Sequence, residues 1–346
     1  MKKLWGVSIN SCCVVFAVGV LILVAISAPI SPASTQQTQP SSVNPLGSAQ
    51  SEQQLLDQAR QIKGRGTLPD AQSHVVEQPV GRLWSRTQNV FLPLIGALAI
   101  VGMFCLLVLF YLWRGSMRFG ARANRTIPRF NTFERLVHWM TTICFVILAV
   151  SGLNITFGAK LLLPVIGGNA FSAWTLALKY LHNYLALPFA IGVGLMFVLW
   201  VRSNLPARVD IEWIKTGGGM FGGEAPPTGR FNAGEKMIFW TTVLAGGMVV
   251  ATGLVLLFPF YGTGIVAMQL AHIIHAAVGL LFIAAILVHT YMATLGTEGA
   301  LEGMMTGDVD VNWAKHHHSL WYEERTGPRD KDSPQTPANP VVTTPT

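Results

Sequence analysis

The sequence predicts an all-α integral membrane protein, and three observations carry that reading. Hydrophobic residues make up 51% of the 346-residue chain and charged residues only 12%, about half the ~25% charge of a water-soluble domain. Five long apolar runs, at about 90–113, 134–157, 176–201, 237–258 and 266–293, each reach the ~20 residues that cross ~30 Å of hydrocarbon as a helix. Finally, Lys and Arg are shared unevenly between the links that join these runs, as membrane topology requires.

Taken in chain order, Lys2 and Lys3 precede an apolar stretch from Cys12 to Ala25, and small residues and prolines follow it. This is the pattern of a signal peptide or N-terminal anchor over 1–33. Residues 34–89 are rich in Gln, Ser and Pro without apolar periodicity. They cannot bury enough surface to offset chain entropy and read as a mostly disordered tether. The run at 90–113 is a first transmembrane helix, 114–325 holds four further spans, and 326–346 reads as a disordered tail. Trp84, Trp113, Trp139, Trp174, Trp200 and Trp240 fall near run ends, where an aromatic belt belongs. Cys12, Cys13, Cys105 and Cys144 all lie in apolar runs, outside any haem-attachment or metal-ligand motif; they read as small buried hydrophobes. No internal repeat is apparent.

The link after the first span carries Arg114, Arg118, Arg122, Arg125 and Arg129, and the link after the third carries Arg202, Arg208, Lys215, Arg230 and Lys236. The other two links hold only Lys160 and Lys179 nearby. The positive-inside rule then puts the basic links and the C-terminus in the cytoplasm and the tether in the periplasm. The net charge of +7 is read as this topogenic excess, so nucleic acid is not an expected partner. The Arg run and His316 to His318 are expected to face cytoplasm and lipid phosphates, Lys236 to anchor at the headgroups, and Asp210, Glu212 and Trp213 to form a solvated loop.

Four histidines lie inside the spans: His138, His182, His275 and His289. Ionisable groups within a bilayer are functional candidates. His275 and His289 are 14 residues apart, which leaves them about 40° from a common helix face and about 21 Å apart along the axis. Spacing therefore selects His275 over His272, which reads as a spectator that makes a local hydrogen bond or lines an interface. Alternation of span direction gives His138 the depth of His289, and His182 the depth of His275. Two imidazole pairs at two depths suit two bis-histidine haems. The fold class is then an all-α membrane bundle of five spans that holds two haems. Gly279, near His275, and Gly152, 14 residues past His138, leave room for a flat porphyrin.

Several stretches carry a closer resemblance: Phe130 to Trp139 (FNTFERLVHW), Leu181-His182, Phe231 to Trp240 (FNAGEKMIFW), Ile274 to Gly279, Val288 to Ala293, and Trp313 to His318 with Trp321-Tyr322. Over about 128–325 the chain resembles the gamma (cytochrome b) subunit of membrane-bound formate dehydrogenases. The resemblance implies a four-helix transmembrane di-haem cytochrome b core, with the run at 90–113 as one extra N-terminal transmembrane helix, and two haem b groups held by His138, His289, His182 and His275. It also implies a multi-pass place in a bacterial inner membrane and quinone (menaquinone or ubiquinone) as acceptor, with Asn232 and Gly234 binding it beside His289. The implied partners are an iron–sulfur beta subunit and a molybdenum- or tungsten-containing alpha subunit that itself oxidises formate. Electrons would enter at a periplasmic-side haem and leave from a cytoplasmic-side haem. A cytochrome b of a nickel–iron hydrogenase or thiosulfate reductase is the alternative. Asn232 also reads as a helix cap.

Overall fold

A computed structural model describes residues 81–327 apart from 119, 124, 222–225 and 260. The signal-like segment, most of the tether and the tail from 328 lie outside the described residues. Among the described residues, five helical stretches are long and apolar enough to cross a membrane: Leu83–Arg114, Thr132–Leu161, Leu163–Asn204, Ala233–Leu257 and Ile265–Gly296. The α-helices, in chain order, are α1 (Gly81–Arg86), α2 (Leu92–Arg114), α3 (Thr132–Leu161), α4 (Leu163–Trp200), α5 (Arg208–Lys215), α6 (Ala233–Leu257), α7 (Ile265–Tyr291), α8 (Glu302–Thr306), α9 (Val311–His317) and α10 (Ser319–Thr326). Residues 81–89, expected to be the end of a mostly disordered tether, are already helical. Trp84 there packs edge-on to His272 with ring centroids 5.3 Å apart, so a side-chain contact on α7 holds the entry to the first span.

The third span starts earlier than its apolar run suggested. Gly167, at φ 78° and ψ 166°, breaks α4 near its start, a conformation that L side chains rarely adopt. Pro188 lies farther along the same helix. Gly192 sits where α3 crosses, and any Cβ there would run into Thr141. The outer faces of α2 and α6 carry Leu98, Leu109, Leu112, Met237, Leu244 and Leu254, all exposed, as lipid-facing positions are. Cys144 is buried as expected, but Cys105 is exposed on α2, because that helix packs by one side only.

One end of the bundle is closed by a folded cap, not by a solvated tail. Strand β1 (Thr126–Pro128) pairs antiparallel with β2 (Asp308–Asp310), in the register Thr126 to Asp310 and Pro128 to Asp308. Asp310 caps α9 by accepting from the Asn312 and Trp313 amides. Val309, Val311, Trp313, Ala314, Trp321 and Tyr322 form a small core of their own.

Beneath this cap lies an internal repeat that the sequence reading did not detect. Arg129-Phe130-Asn131 with Glu134, Arg135 and Trp139 recurs as Arg230-Phe231-Asn232 with Glu235, Lys236 and Trp240. The two arginines exchange bonds. An Arg129 N–H donates to the Arg230 carbonyl and one of Arg230 to the Arg129 carbonyl, across the same separation of 101 residues. Arg129 also pairs with Glu235 at 2.9 Å, and Arg230 with Glu134 at 2.7 Å. Asn131 caps α3 and Asn232 caps α6, each in a capping box with its own glutamate. The Trp139 indole N–H donates to the Met304 carbonyl and that of Trp240 to the Asn204 carbonyl. The hairpins α3–α4 and α6–α7 are thus related by an approximate two-fold exchange. The match is carried by short motifs with different apolar residues between them, so apolar periodicity does not reveal it.

Several surface expectations are corrected by this end of the molecule. Arg129 is buried, stacked over Phe130 and Trp313, and does not face lipid phosphates. Asp210 is buried, and Lys236 reaches it at 2.8 Å, so neither stands in a solvated loop or at the headgroups. Trp200 is buried and donates to Glu134, Trp139 and Trp240 are half-buried and donate to backbone carbonyls, and Trp113 and Trp174 are exposed as belt residues are.

Candidate functional site

The four span histidines come together as two couples. His138 of α3 faces His289 of α7 with ring centroids 6.3 Å apart, and His182 of α4 faces His275 of α7 at 6.1 Å. Two imidazoles bound to opposite sides of one metal, with metal–nitrogen bonds of about 2.0–2.1 Å, place their ring centres about 6 Å apart. Both separations therefore fit a single iron between each couple. Among the described residues no group of three or more His, Cys, Asp or Glu stands together to hold a metal ion. Each couple would supply two imidazole nitrogens to an iron whose other ligands come with a macrocycle. Haem fits this donor set.

The space around the rings agrees. A Cβ on Gly279 would meet nothing within 4 Å, so an open slot borders α7 between its two histidines. Gly152 adjoins His182, where a Cβ would lie 3.8 Å from Cε1. Gly253, which sequence reasoning passed over, adjoins His275, where a Cβ would lie 3.2 Å from Cε1. Phe282, seven residues from each α7 histidine, is buried and meets Phe145 at 4.8 Å between ring centroids. An apolar layer thus separates the two couples.

The ring nitrogens of the couples are held differently. Ser151 Oγ donates to the Leu148 carbonyl at 2.9 Å and lies 2.7 Å from His182 Nδ1. A hydroxyl has one proton to give, so Nδ1–H donates to Oγ and Nε2 keeps its lone pair. Thr252 repeats this: Oγ1 donates to the Met248 carbonyl at 2.7 Å and lies 3.1 Å from His275 Nδ1. By contrast, His138 Nδ1 is buried without a hydrogen-bond partner. His272 joins neither couple; its Nδ1 has no partner and its ring packs against Trp84, so of the two expectations for it the lining of an interface fits and a hydrogen bond through Nδ1 does not.

The loop that opens α6 lies at the same end of the bundle as the His138–His289 couple, because the exchanged arginines join the starts of α3 and α6 and His138 stands in the first two turns of α3. Asn232 Oδ1 accepts from the Glu235 amide at 2.9 Å, and Glu235 Oε2 accepts from the Asn232 amide at 2.9 Å. The capping reading of Asn232 therefore describes its carbonyl oxygen. Gly234 lies beneath Trp213, where a Cβ would come within 2.8 Å of the indole. His318 is fully buried and 3.1 Å from Arg129, with Glu235 at 3.7 Å. Burial first, and then the Arg129 charge, push its imidazole down to about 3. It is a neutral interior group, while its neighbour His316 is exposed.

A family model described as prokaryotic cytochrome b561 matches residues 129–307, which include all four paired histidines. The nitrate-inducible formate dehydrogenase cytochrome b556(Fdn) subunit of Escherichia coli K12 is 31% identical over 206 residues, 58% of this chain and 92% of that protein. The cytochrome b556(fdo) subunit of formate dehydrogenase from the same strain is 32% identical over 202 residues, 58% and 93% respectively. The formate dehydrogenase cytochrome b556 subunit of Haemophilus influenzae is 30% identical over 203 residues, 57% and 83%.

Proposed function

This chain belongs to the prokaryotic cytochrome b561 family, and from that premise we infer how its residues work as the haem-bearing electron-transfer subunit of a formate dehydrogenase. We propose that His138 and His289 hold one haem b and His182 and His275 a second. The two ring separations of 6.3 and 6.1 Å carry this reading. Haem b bound there supplies a one-electron relay through its ferric and ferrous states. The protein's part is to present neutral Nε2 atoms at two depths and to keep water from the layer between them, which Phe145 and Phe282 fill.

The proposed orientation puts the capped end, which carries most of the basic residues, in the cytoplasm of a bacterium and the chain in its inner membrane. The His182–His275 couple then lies toward the periplasm, where an iron–sulfur beta subunit would dock. A molybdenum- or tungsten-containing alpha subunit would oxidise formate beyond it. The His138–His289 couple lies toward the cytoplasm, beside the proposed quinone pocket. There Asn232 offers its side-chain NH2, since Oδ1 is already bound, and Gly234 offers a first-turn amide at the positive end of α6. Glu235 contacts Arg129 and approaches His318, and is the carboxylate assigned to pass protons to the reduced quinone.

Haem content by pyridine haemochrome assay tests the ligand assignment. His182→Ala or His275→Ala is expected to remove one haem, and His138→Ala or His289→Ala the other, while His272→Ala keeps both. Full haem content in His275→Ala would falsify the pairing.

A further inference from the structure

The two-fold exchange that joins the helix starts extends into the membrane, and it separates the two couples by kind. Ser151-Gly152-Leu153 on α3 stands 101 residues before Thr252-Gly253-Leu254 on α6, the same offset as the two arginines. Each hydroxyl holds the Nδ1 of the histidine on the other helix of its own hairpin, and each glycine lies against that ring. From these histidines the two helices continue in step. His182, Phe189 and Met196 on α4 match His275, Phe282 and His289 on α7 at identical seven-residue intervals, and both phenylalanines are 3% exposed. The His182–His275 couple therefore maps onto itself under the exchange. The other couple does not. His138 corresponds to Phe239 and His289 to Met196, and these two are buried in one apolar cluster on the opposite side.

We infer that Ser151 and Thr252 are paired positioning residues that fix both His182 and His275 as Nδ1–H tautomers and lower the reduction potential of the iron between them relative to the His138–His289 site. The inference rests on the ligand assignment proposed above. Its physical basis is the hydrogen bond itself. An imidazole that donates Nδ1–H to an acceptor is a more basic ligand, and a more basic axial ligand favours the ferric over the ferrous state. Both rings of one couple have such an acceptor, whereas His138 Nδ1 has none. The hydroxyl has also been kept in both halves of an internal repeat, at the one couple where both halves kept the histidine. The resulting difference in potential favours electron flow from the His182–His275 site to the site beside the quinone loop.

The test is a redox titration of the full complex in membranes, followed at the haem α band, with haem content and low-spin ferric EPR measured in parallel. The component lost in His275→Ala identifies the His182–His275 site. In Thr252→Val, which keeps the side-chain shape, that component is expected to move to higher potential and its EPR signal to shift, while the other component stays in place. Ser151→Ala should act in the same direction, and Thr252→Ser should restore the wild-type value. Loss of that haem in Thr252→Val with retention in Thr252→Ser would equally support a role for the hydroxyl. Unmoved potentials in both Thr252→Val and Ser151→Ala would overturn the inference, as would a Thr252→Ser variant that behaves like Thr252→Val. Full haem content in His275→Ala would instead overturn the ligand assignment.

Discussion

At the residue scale, chemistry in this protein depends on which nitrogen of each imidazole is free. Ser151 and Thr252 answer that for one couple, and neither stood out in the sequence, where a hydroxyl in an apolar helix usually bonds its own backbone. Both do so here as well, and the histidine contact is a second bond that only packing reveals. His318 carries the residue-scale prediction. In the folded protein its pKa is about 3, against an ordinary value of 6.5, so it stays neutral on folding and takes up a proton on unfolding once the pH drops below 6.5. Its contribution to stability is complete above pH 6.5 and is lost as pH falls toward 3. Melting curves of the purified protein in detergent should show His318→Gln losing less stability than the wild type over that window. Parallel curves for the two proteins would refute the assignment.

At the element scale, α3 and α6 begin in the same way. Their Asn caps satisfy first-turn amides, and their glutamates accept from the arginine of the opposite hairpin. Capping makes Asn232→Ala a poor test of quinone binding, because loss of an N-cap costs about 1 kcal/mol in itself. Asn232→Asp is sharper: a carboxylate caps as well as an amide does but cannot donate from an NH2. We expect it to slow electron delivery from formate to quinone severalfold while haem reduction by formate stays at its wild-type rate, measured by stopped-flow absorbance. Equal slowing of both steps would assign Asn232 a structural role alone. The spans were legible as elements because each is a long apolar run. The early start of α4 and the helix at 81–89 were not, because a glycine kink and a Trp84–His272 contact decide them.

At the scale of the whole molecule, two hairpins, an outer helix and a folded polar cap make an asymmetric object with one strongly basic end. The extra span α2 lies along α7, with Gly96 beneath Leu280, where a Cβ would come within 2.5 Å, and with Phe110 and Tyr111 against Tyr291. It covers the outer face of the helix that supplies a histidine to both couples. The orientation is open to a direct check. Tyr261, in the link between α6 and α7, is 89% exposed, and Tyr261→Cys should react with a membrane-impermeant maleimide in intact cells. Lys215→Cys, near the basic end, should react only after permeabilisation. The reverse pattern would invert the proposed path of electrons and protons.

Composition and run length alone determined that this is a helical membrane protein, because lipid leaves few alternatives for a backbone that must satisfy its own hydrogen bonds. Helical rise and rotation placed His275 and His289 near one helix face, and alternation of span direction matched His138 to His289 and His182 to His275, the couples that the rings form. Tertiary structure decided what periodicity cannot reach: the hydroxyls behind His182 and His275, the exchange of arginines between hairpins, and the burial of Arg129, Asp210 and His318. These depend on residues up to 189 positions apart. Contacts at such a range come from packing and leave no local trace in the chain.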